Sequence, residues 1–273
     1  MEINRPLMDR IVKLSVAAGE AILAIYNDEG SFNTETKADN SPVTDADKAA
    51  HNLLYDALIL IDPNVPVLSE EGDLPHYDTR SAWNMYWIID PLDGTKEFIK
   101  RNGEFTVNVA LIHRGVPVLG VVHVPVLNVT YAGATDLGAF KIDASGEAPI
   151  QVSKAPEKDI GPVRVVASRS HDSEAVEKCI NTLEKYFGMV EKKSMGSSLK
   201  LCLVAEGEAD IYPRLALTSE WDTAAAQAVV EAAGGVVLDA DLKELRYNTK
   251  ADILNPYFYV LGDTSFNWTK LLT

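Results

Sequence analysis

Residues 87–95 read Trp87-Ile88-Ile89-Asp90-Pro91-Leu92-Asp93-Gly94-Thr95. An apolar run, Met85 to Ile89, leads straight into two carboxylates three residues apart. Such a run suits a central strand. A residue before proline favours extended backbone, so Asp90 is expected at the strand's end. Pro91 then turns the chain, and Gly94 permits a tight conformation. A helix N-terminus after such a turn would offer free N–H groups to a phosphate. Two hard oxygen ligands beside that seat suit Mg²⁺. Taken alone, the segment also fits a turn whose aspartates bond only the local backbone.

Two further acidic clusters lie outward from it. Ser69-Glu70-Glu71-Gly72 follows a short apolar strand, Val65 to Leu68. If the two strands are neighbours in one sheet, Glu70 lies beside Asp90 and Asp93. Glu220-Trp221-Asp222 precedes a helical pattern from Thr223 to Ala233. Alone, the glutamate pair fits a solvated strand end and Asp222 fits an N-cap. Three carboxylate clusters at element ends, in a chain without a His or Cys metal pattern, fit a Mg²⁺ site better than three coincidences.

The surrounding pattern gives the architecture. Ile11, Leu14, Ala18, Ile22 and Ile25 recur at helical spacing, ending at Asn27 to Gly30. Residues 31–40 are polar and read as a surface loop. A second helix starts near Thr44, where Thr44-x-x-Asp47 resembles a capping box, and closes at Asp62-Pro63-Asn64. Strands follow at Phe105 to His113 and Val116 to Val124, joined by an Arg114-Gly115 hairpin turn. Val129 to Ala132 and Ala139 to Ile142 extend the meander. The composition changes across Ser153 to Pro162, and two halves are expected, 1–155 and 156–273. Beyond it, Val163 to Ala167, Asp210 to Tyr212 and Val236 to Leu238 read as strands. They alternate with helices at Glu174 to Phe187, Leu199 to Ala205 and Thr223 to Ala233, which is the signature of an α/β layer.

Composition narrows the function. The chain has 273 residues, 47% hydrophobic and 24% charged, which excludes a disordered or fibrous protein. Its formal charge of −15 is the wrong sign for wrapping nucleic acid or an anionic membrane. A small anionic ligand needs only local positive charge or a metal. Cys179 and Cys202 are far apart and read as reduced packing residues. No signal peptide or apolar spanning run is present, so a cytoplasmic protein without an integral membrane segment is expected. His51, His76, His113 and His123 do not cluster and read as surface or sheet residues. There is no nucleotide-binding P-loop, GxGxxG or GxSxG, so kinase, dinucleotide and serine-hydrolase chemistry has no local support.

The segments SEE, WIIDPLDGT and EWDTAAAQAVVEAAGG, in this order, resemble the inositol monophosphatase superfamily of Mg²⁺-dependent, lithium-sensitive phosphatases. The resemblance runs from the first helix nearly to the end of the chain. It implies an α/β fold, with an α+β N-terminal half and an α/β C-terminal half, layered α/β/α/β/α. The active site would lie between the halves. It implies two or three Mg²⁺ held by Glu70, Asp90, Asp93, Asp222 and the Leu92 carbonyl. The Gly94 and Thr95 N–H groups would hold the scissile phosphate. A metal-bound water would attack phosphorus in line, oriented by Thr95 and Glu70, with Asp47 accepting from Thr95. Glu70, Leu92, Asp93 and Asp222 would thereby also border the substrate.

Two more segments bear on the substrate. Val166-Ala167-Ser168-Arg169-Ser170-His171 ends a strand with hydroxyls and a histidine, and Gly196-Ser197-Ser198-Leu199-Lys200 opens a helix. Tyr212-Pro213-Arg214 ends the next strand. His171, Gly196, Ser197, Lys200 and Arg214 would then gather at one edge, suiting a substrate with a second anionic group. Plainer readings are Ser197 as an N-cap, Lys200 and Arg214 as solvated charges, and Arg214 paired with Glu220. The combination is similar to the bacterial branch acting on 3′(2′),5′-bisphosphate nucleotides. It implies hydrolysis of adenosine 3′,5′-bisphosphate to AMP and phosphate. The alternatives are an inositol monophosphatase and a catalytically silent metal- or nucleotide-binding regulator. A regulator would have no need of both Thr95 and Asp47. A monomer is expected, with a homodimer as the alternative, and this branch carries peripheral contact with the inner membrane as a further alternative.

Overall fold

A computed structural model describes residues 1–28, 33–36, 42–167 and 173–272. The first helix, α1 (Arg5–Tyr26), is capped by Asn4, whose side chain accepts from the Leu7 N–H. Within the stretch read as a loop, β1 (Thr34–Thr36) pairs antiparallel with β2 (Pro42–Thr44). The polar composition of these short strands hides them from a hydrophobic pattern. Then come α2 (Asp45–Ile61), β3 (Val67–Ser69), α3 (Tyr77–Arg80), β4 (Met85–Asp93) and α4 (Thr95–Ile99). The meander continues through β5 (Thr106–His113), β6 (Val116–Val124), β7 (Val129–Ala134), β8 (Gly138–Asp143) and β9 (Gly146–Ile150). Arg114 (φ 52°) and Gly115 (φ 76°) form the β5–β6 turn, where positive φ at both positions matches the twist of a two-residue hairpin.

The remaining chain forms β10 (Val163–Ala167), α5 (Glu174–Phe187), β11 (Val190–Ser194), α6 (Leu199–Ala205) and β12 (Ile211–Arg214). It ends with α7 (Glu220–Ala232), β13 (Val236–Asp239), β14 (Phe258–Leu261) and α8 (Thr269–Leu272). Among the described residues, β3 to β9 build a seven-stranded sheet in sequence order. A five-stranded sheet runs β11-β10-β12-β14-β13.

Alternation along the strands sorts the core into layers. Trp87, Ile89, Val107, Val109 and Leu111 bury one face of the larger sheet against Ile11 and Ile22 of α1 and Leu54 of α2. Tyr86, Ile88, Ala110, Ile112 and Val122 face the other way, onto Ala225 and Val229 of α7. The same cluster continues through α6 to Val166, Tyr212 and Val260 of the smaller sheet. On that sheet's outer face, Val163 and Val165 pack with Ile180, Leu183 and Phe187 of α5 and Leu271 of α8. The order is therefore helices, sheet, helices, sheet, helices. The central helix sits unusually close: a Cβ at Gly120 would stand 2.1 Å from the Ala225 carbonyl oxygen, and one at Gly133 would stand 2.8 Å from Val229 Cα. Helix α7, from late in the chain, thus covers a sheet built from its first half.

Candidate active site

Parallel pairing of β3 with β4 sets Ser69 opposite Ile89, and the Glu70 N–H donates to the Ile89 carbonyl at 3.1 Å. Glu70 is thereby placed beside Asp90. Strand β4 does not stop at Asp90, contrary to the expected strand end. A bulge lies between Asp90 and Asp93, and Asp93 pairs with Thr106. Bulges re-aim side chains at the ends of ladders. Inside it, Asp90 Oδ1 accepts from the Leu92 N–H at 3.0 Å.

Asp222 arrives from the opposite layer. The N-cap of α7 is Ser219, so Asp222 is the third helical residue and not the cap. Its Oδ2 accepts from the Ser219 N–H at 2.9 Å, closing a capping box that fixes the side chain. Carboxylate oxygens of Glu70, Asp90 and Asp222 lie within 4.8 Å of one another. Burial pushes the Asp90 carboxyl well above the usual range, and the charges of Glu70, Asp93 and Asp222 push it further. Burial, then Asp93, does the same to Asp222. Buried like charges this close are unstable together unless protons or a cation neutralise them. The donors are all hard oxygens, so the set fits a hard cation and not a soft metal.

Asp93 stands beside this trio. Its Oδ2 accepts from the Ser198 N–H at 2.7 Å and from the Ser197 hydroxyl, with Thr106 Oγ1 at 3.4 Å. It thus ties the first half's bulge to the turn that opens α6. Ser197 adopts a left-handed φ of 54° and the N-cap position belongs to Ser198, so Ser197 is not the cap.

Asp47 makes contacts to both Thr44 and Thr95. Its Oδ2 accepts from Thr44 N at 2.7 Å and from Thr44 Oγ1 at 2.6 Å, completing the α2 capping box. Its Oδ1 accepts from the Thr95 hydroxyl at 3.1 Å. Burial raises the Asp47 carboxyl, opposed by the bonds from Thr44 and Thr95. Thr95 is the first residue of α4, after Gly94 at φ 96°, and its hydroxyl also lies 3.4 Å from the Leu92 carbonyl.

A cavity of about 310 Å³ is lined by Asp93, Gly94, Gly196, Ser197, Lys200, Arg214 and Asp222 among others. Lys200 is only 8% exposed, so it is not a solvated charge. It donates to the Met195 carbonyl at 3.2 Å. Burial pulls its pKa down to about 8; Asp93 opposes this and the Arg214 charge adds to it. Arg214 donates to the Leu217 carbonyl at 3.0 Å, while its Nε is buried without a hydrogen-bond partner among the described residues. No ion pair joins it to Glu220. Both Glu220 oxygens instead accept from the Asn248 N–H, at 2.9 and 3.0 Å. His171 lies outside the described residues.

Glu70 lines a separate depression with Lys48, His51, Asn52 and Gly72. His51 is one residue that the sequence pattern misses. It is neither a sheet residue nor fully exposed: it sits on α2 with Nδ1 2.8 Å from Ser69 Oγ. Its spacing of four from Asp47 is the signal, since such residues share a helix face. Arg80 and Asn248 are also missed. Fully buried Arg80 donates to the Asn248 side chain and to the Lys250 and Ala251 carbonyls, bracing the segment that holds Glu220.

Comparison with known proteins places this geometry. The model of the inositol monophosphatase family matches residues 4–261. The 3′(2′),5′-bisphosphate nucleotidase CysQ of Escherichia coli K12 is 48% identical over 254 residues, spanning 93% of this chain and 99% of that protein. The CysQ nucleotidase of Haemophilus influenzae is 35% identical over 274 residues, with 99% and 98% covered. The crystal structure of CysQ from Bacteroides thetaiotaomicron superposes with a TM-score of 0.80 at 45% identity, covering 91% of this chain and 94% of that one. A Thermotoga maritima inositol monophosphatase superposes at 0.74 with 26% identity, covering 94% and 92%.

Proposed function

The chain belongs to the inositol monophosphatase family, and on that premise we propose that it is a 3′(2′),5′-bisphosphate nucleotidase. It hydrolyses the 3′-phosphate of adenosine 3′,5′-bisphosphate, yielding AMP and phosphate. The observation that carries this reading is the convergence of Glu70, Asp90 and Asp222 within 4.8 Å, beside a cavity lined by Lys200 and Arg214. Near-full-length identity to nucleotidases supports the substrate class.

Glu70, Asp90, Asp93, Asp222 and the Leu92 carbonyl would hold two or three Mg²⁺. Bound there, the ions would supply charge neutralisation at the phosphate and acidify the attacking water. The Gly94 and Thr95 N–H groups would receive the scissile phosphate. Thr95 is held by Asp47 at 3.1 Å and, with Glu70, would orient the water for in-line attack. Asp47 is buried and caps α2 with its other oxygen, so the Thr95 hydroxyl has a fixed acceptor. Lys200, Arg214, Gly196, Ser197 and His171 would take the phosphate and nucleoside that are not cleaved. Lys200 and Arg214 bring two positive charges to one cavity with few partners of their own, which favours a dianion between them.

Parallel turnover of adenosine 3′,5′-bisphosphate and inositol 1-phosphate, with Mg²⁺ and with chelator, tests the reading. Faster Mg²⁺-dependent turnover of the bisphosphate is expected. Preference for inositol 1-phosphate would overturn the nucleotide assignment, and no phosphate release from either would favour a silent regulator. No described helix is long and apolar enough to cross a membrane.

A further inference from the structure

Glu70 rides on a slender support. Strand β3 has three residues and lies at the edge of the seven-stranded sheet. The turn after it is closed by the Gly72 N–H donating to the Ser69 carbonyl at 3.1 Å. The Ser69 hydroxyl accepts from the Glu71 N–H at 3.3 Å and meets His51 Nδ1 at 2.8 Å. A short edge strand has only one neighbour to hold it, so side-chain contacts at its end decide where that end points.

His51 is well set to make that contact. Its ring lies 5.4 Å from the Tyr55 ring, one helical turn on, at an interplanar angle of 34°. Its other side faces the turn, where a Cβ at Gly72 would stand 3.7 Å from His51 Cε1. One turn back on the same face is Asp47, bonded to Thr95. A single face of α2 therefore addresses both the Glu70 turn and the Thr95 turn. Nothing in the proposed chemistry uses His51 directly.

We propose that His51 is a positioning residue for Glu70: through Ser69 it fixes the Ser69–Gly72 turn and so sets how tightly the carboxylate cluster holds its cation. The proposal rests on reading Glu70 as a metal ligand. Groups that orient ligands, without touching the metal, commonly control affinity by about tenfold or more.

The test is calorimetric titration of Mg²⁺ into the full chain without substrate, with Asp90→Asn as control. His51→Ala and Ser69→Ala should each weaken Mg²⁺ about tenfold. The double variant should be no weaker than Ser69→Ala alone, because removing the Ser69 hydroxyl already cuts the His51 link. His51→Asn, which keeps a polar atom near the Nδ1 position, should return the affinity to within about twofold of the parent. A parent that binds Mg²⁺ while His51→Ala binds it equally well overturns the proposal alone. So do additive losses, or a His51→Asn chain as weak as His51→Ala. A parent that fails to bind, or an Asp90→Asn chain that binds like the parent, overturns the metal reading and this proposal with it. Ser69→Ala leaves the helix untouched and carries the test should His51→Ala fold poorly.

Discussion

The Thr95 hydroxyl meets Asp47 Oδ1 at 3.1 Å across 48 residues of chain, and the other Asp47 oxygen is already committed to Thr44. Asp47 therefore holds Thr95 from a point that the α2 cap immobilises. If the pair works as one unit, Thr95→Ala and Asp47→Ala should each lower kcat about a hundredfold. The double variant should fall little further. A kinetic cycle at saturating Mg²⁺ measures this, and losses that multiply would leave Asp47 as a cap only.

Asp90 is buried among the charges of Glu70, Asp93 and Asp222. Asp90→Asn should cut turnover at least about a hundredfold, by removing a ligand that neutralises transition-state charge. It should also raise the melting temperature in chelator at neutral pH. The folded carboxyl is held above its ordinary value, so the parent's folded state is favoured by protonation and loses stability as pH rises through that raised value. The advantage of Asp90→Asn should vanish below the ordinary carboxylate range. A variant no more stable than the parent in chelator at pH 8 would count against the electrostatic account.

Lithium provides an independent check. The family resemblance implies that Li⁺ competes for one Mg²⁺ position. Phosphate release should fall with Li⁺ and change little with Na⁺ or K⁺ at equal ionic strength. Equal inhibition by all three salts would indicate screening alone.

Lys200 and Arg214 should matter for the bisphosphate more than for a small monophosphate. Charge-assisted contacts contribute about 1.5–3 kcal/mol, so either alanine variant should lower kcat/KM for adenosine 3′,5′-bisphosphate about tenfold or more. The Lys200 pKa of about 8 adds a pH signature. The KM of the parent should climb as pH rises through 8 and the positive charge is lost, whereas Lys200→Arg should stay flat. Equal loss on both substrates would make the two residues structural.

His123 should contribute to the loss of stability in acid. It is buried on β6, its Nδ1 2.9 Å from Thr130 Oγ1, and its ring occupies the space that a side chain at Gly19 would need. Burial lowers its pKa from 6.5 to about 4. As pH falls below 6.5 the unfolded chain takes up the proton first, so stability is lost down to about pH 4, by about 3 kcal/mol. His123→Asn should remove that slope while keeping a bond to Thr130. Urea unfolding of both chains from pH 7 to 4 reads the difference, and parallel profiles would disprove it.

The carboxylates were legible in sequence because each follows an apolar strand or opens a helix, and such ends are marked by proline, glycine and capping residues. Helices α5 and α6 likewise begin and end where periodicity predicts. Strands β9, β11 and β14 were not legible. β9 is largely exposed and β11 largely charged, and β14 is a four-residue apolar run, too short for periodicity to tell a strand from another buried stretch. The contacts that brace the acidic residues were hidden for a different reason. His51 to Ser69, Ser198 to Asp93 and Asn248 to Glu220 join side chains and backbone distant in sequence, and no local spacing encodes them.

The glycines beneath α7 carry one more consequence. Since Gly120 and Gly133 let that helix seat directly on the first sheet, the cover of this apolar face, among the described residues, comes from α7 and α6, late in the chain. A chain split near residue 155 would leave the first fragment without the helix that covers its sheet, and would divide the carboxylate cluster, because Asp222 travels with α7. Phosphate release would then report reunion of the fragments, which makes the chain a natural two-piece complementation reporter.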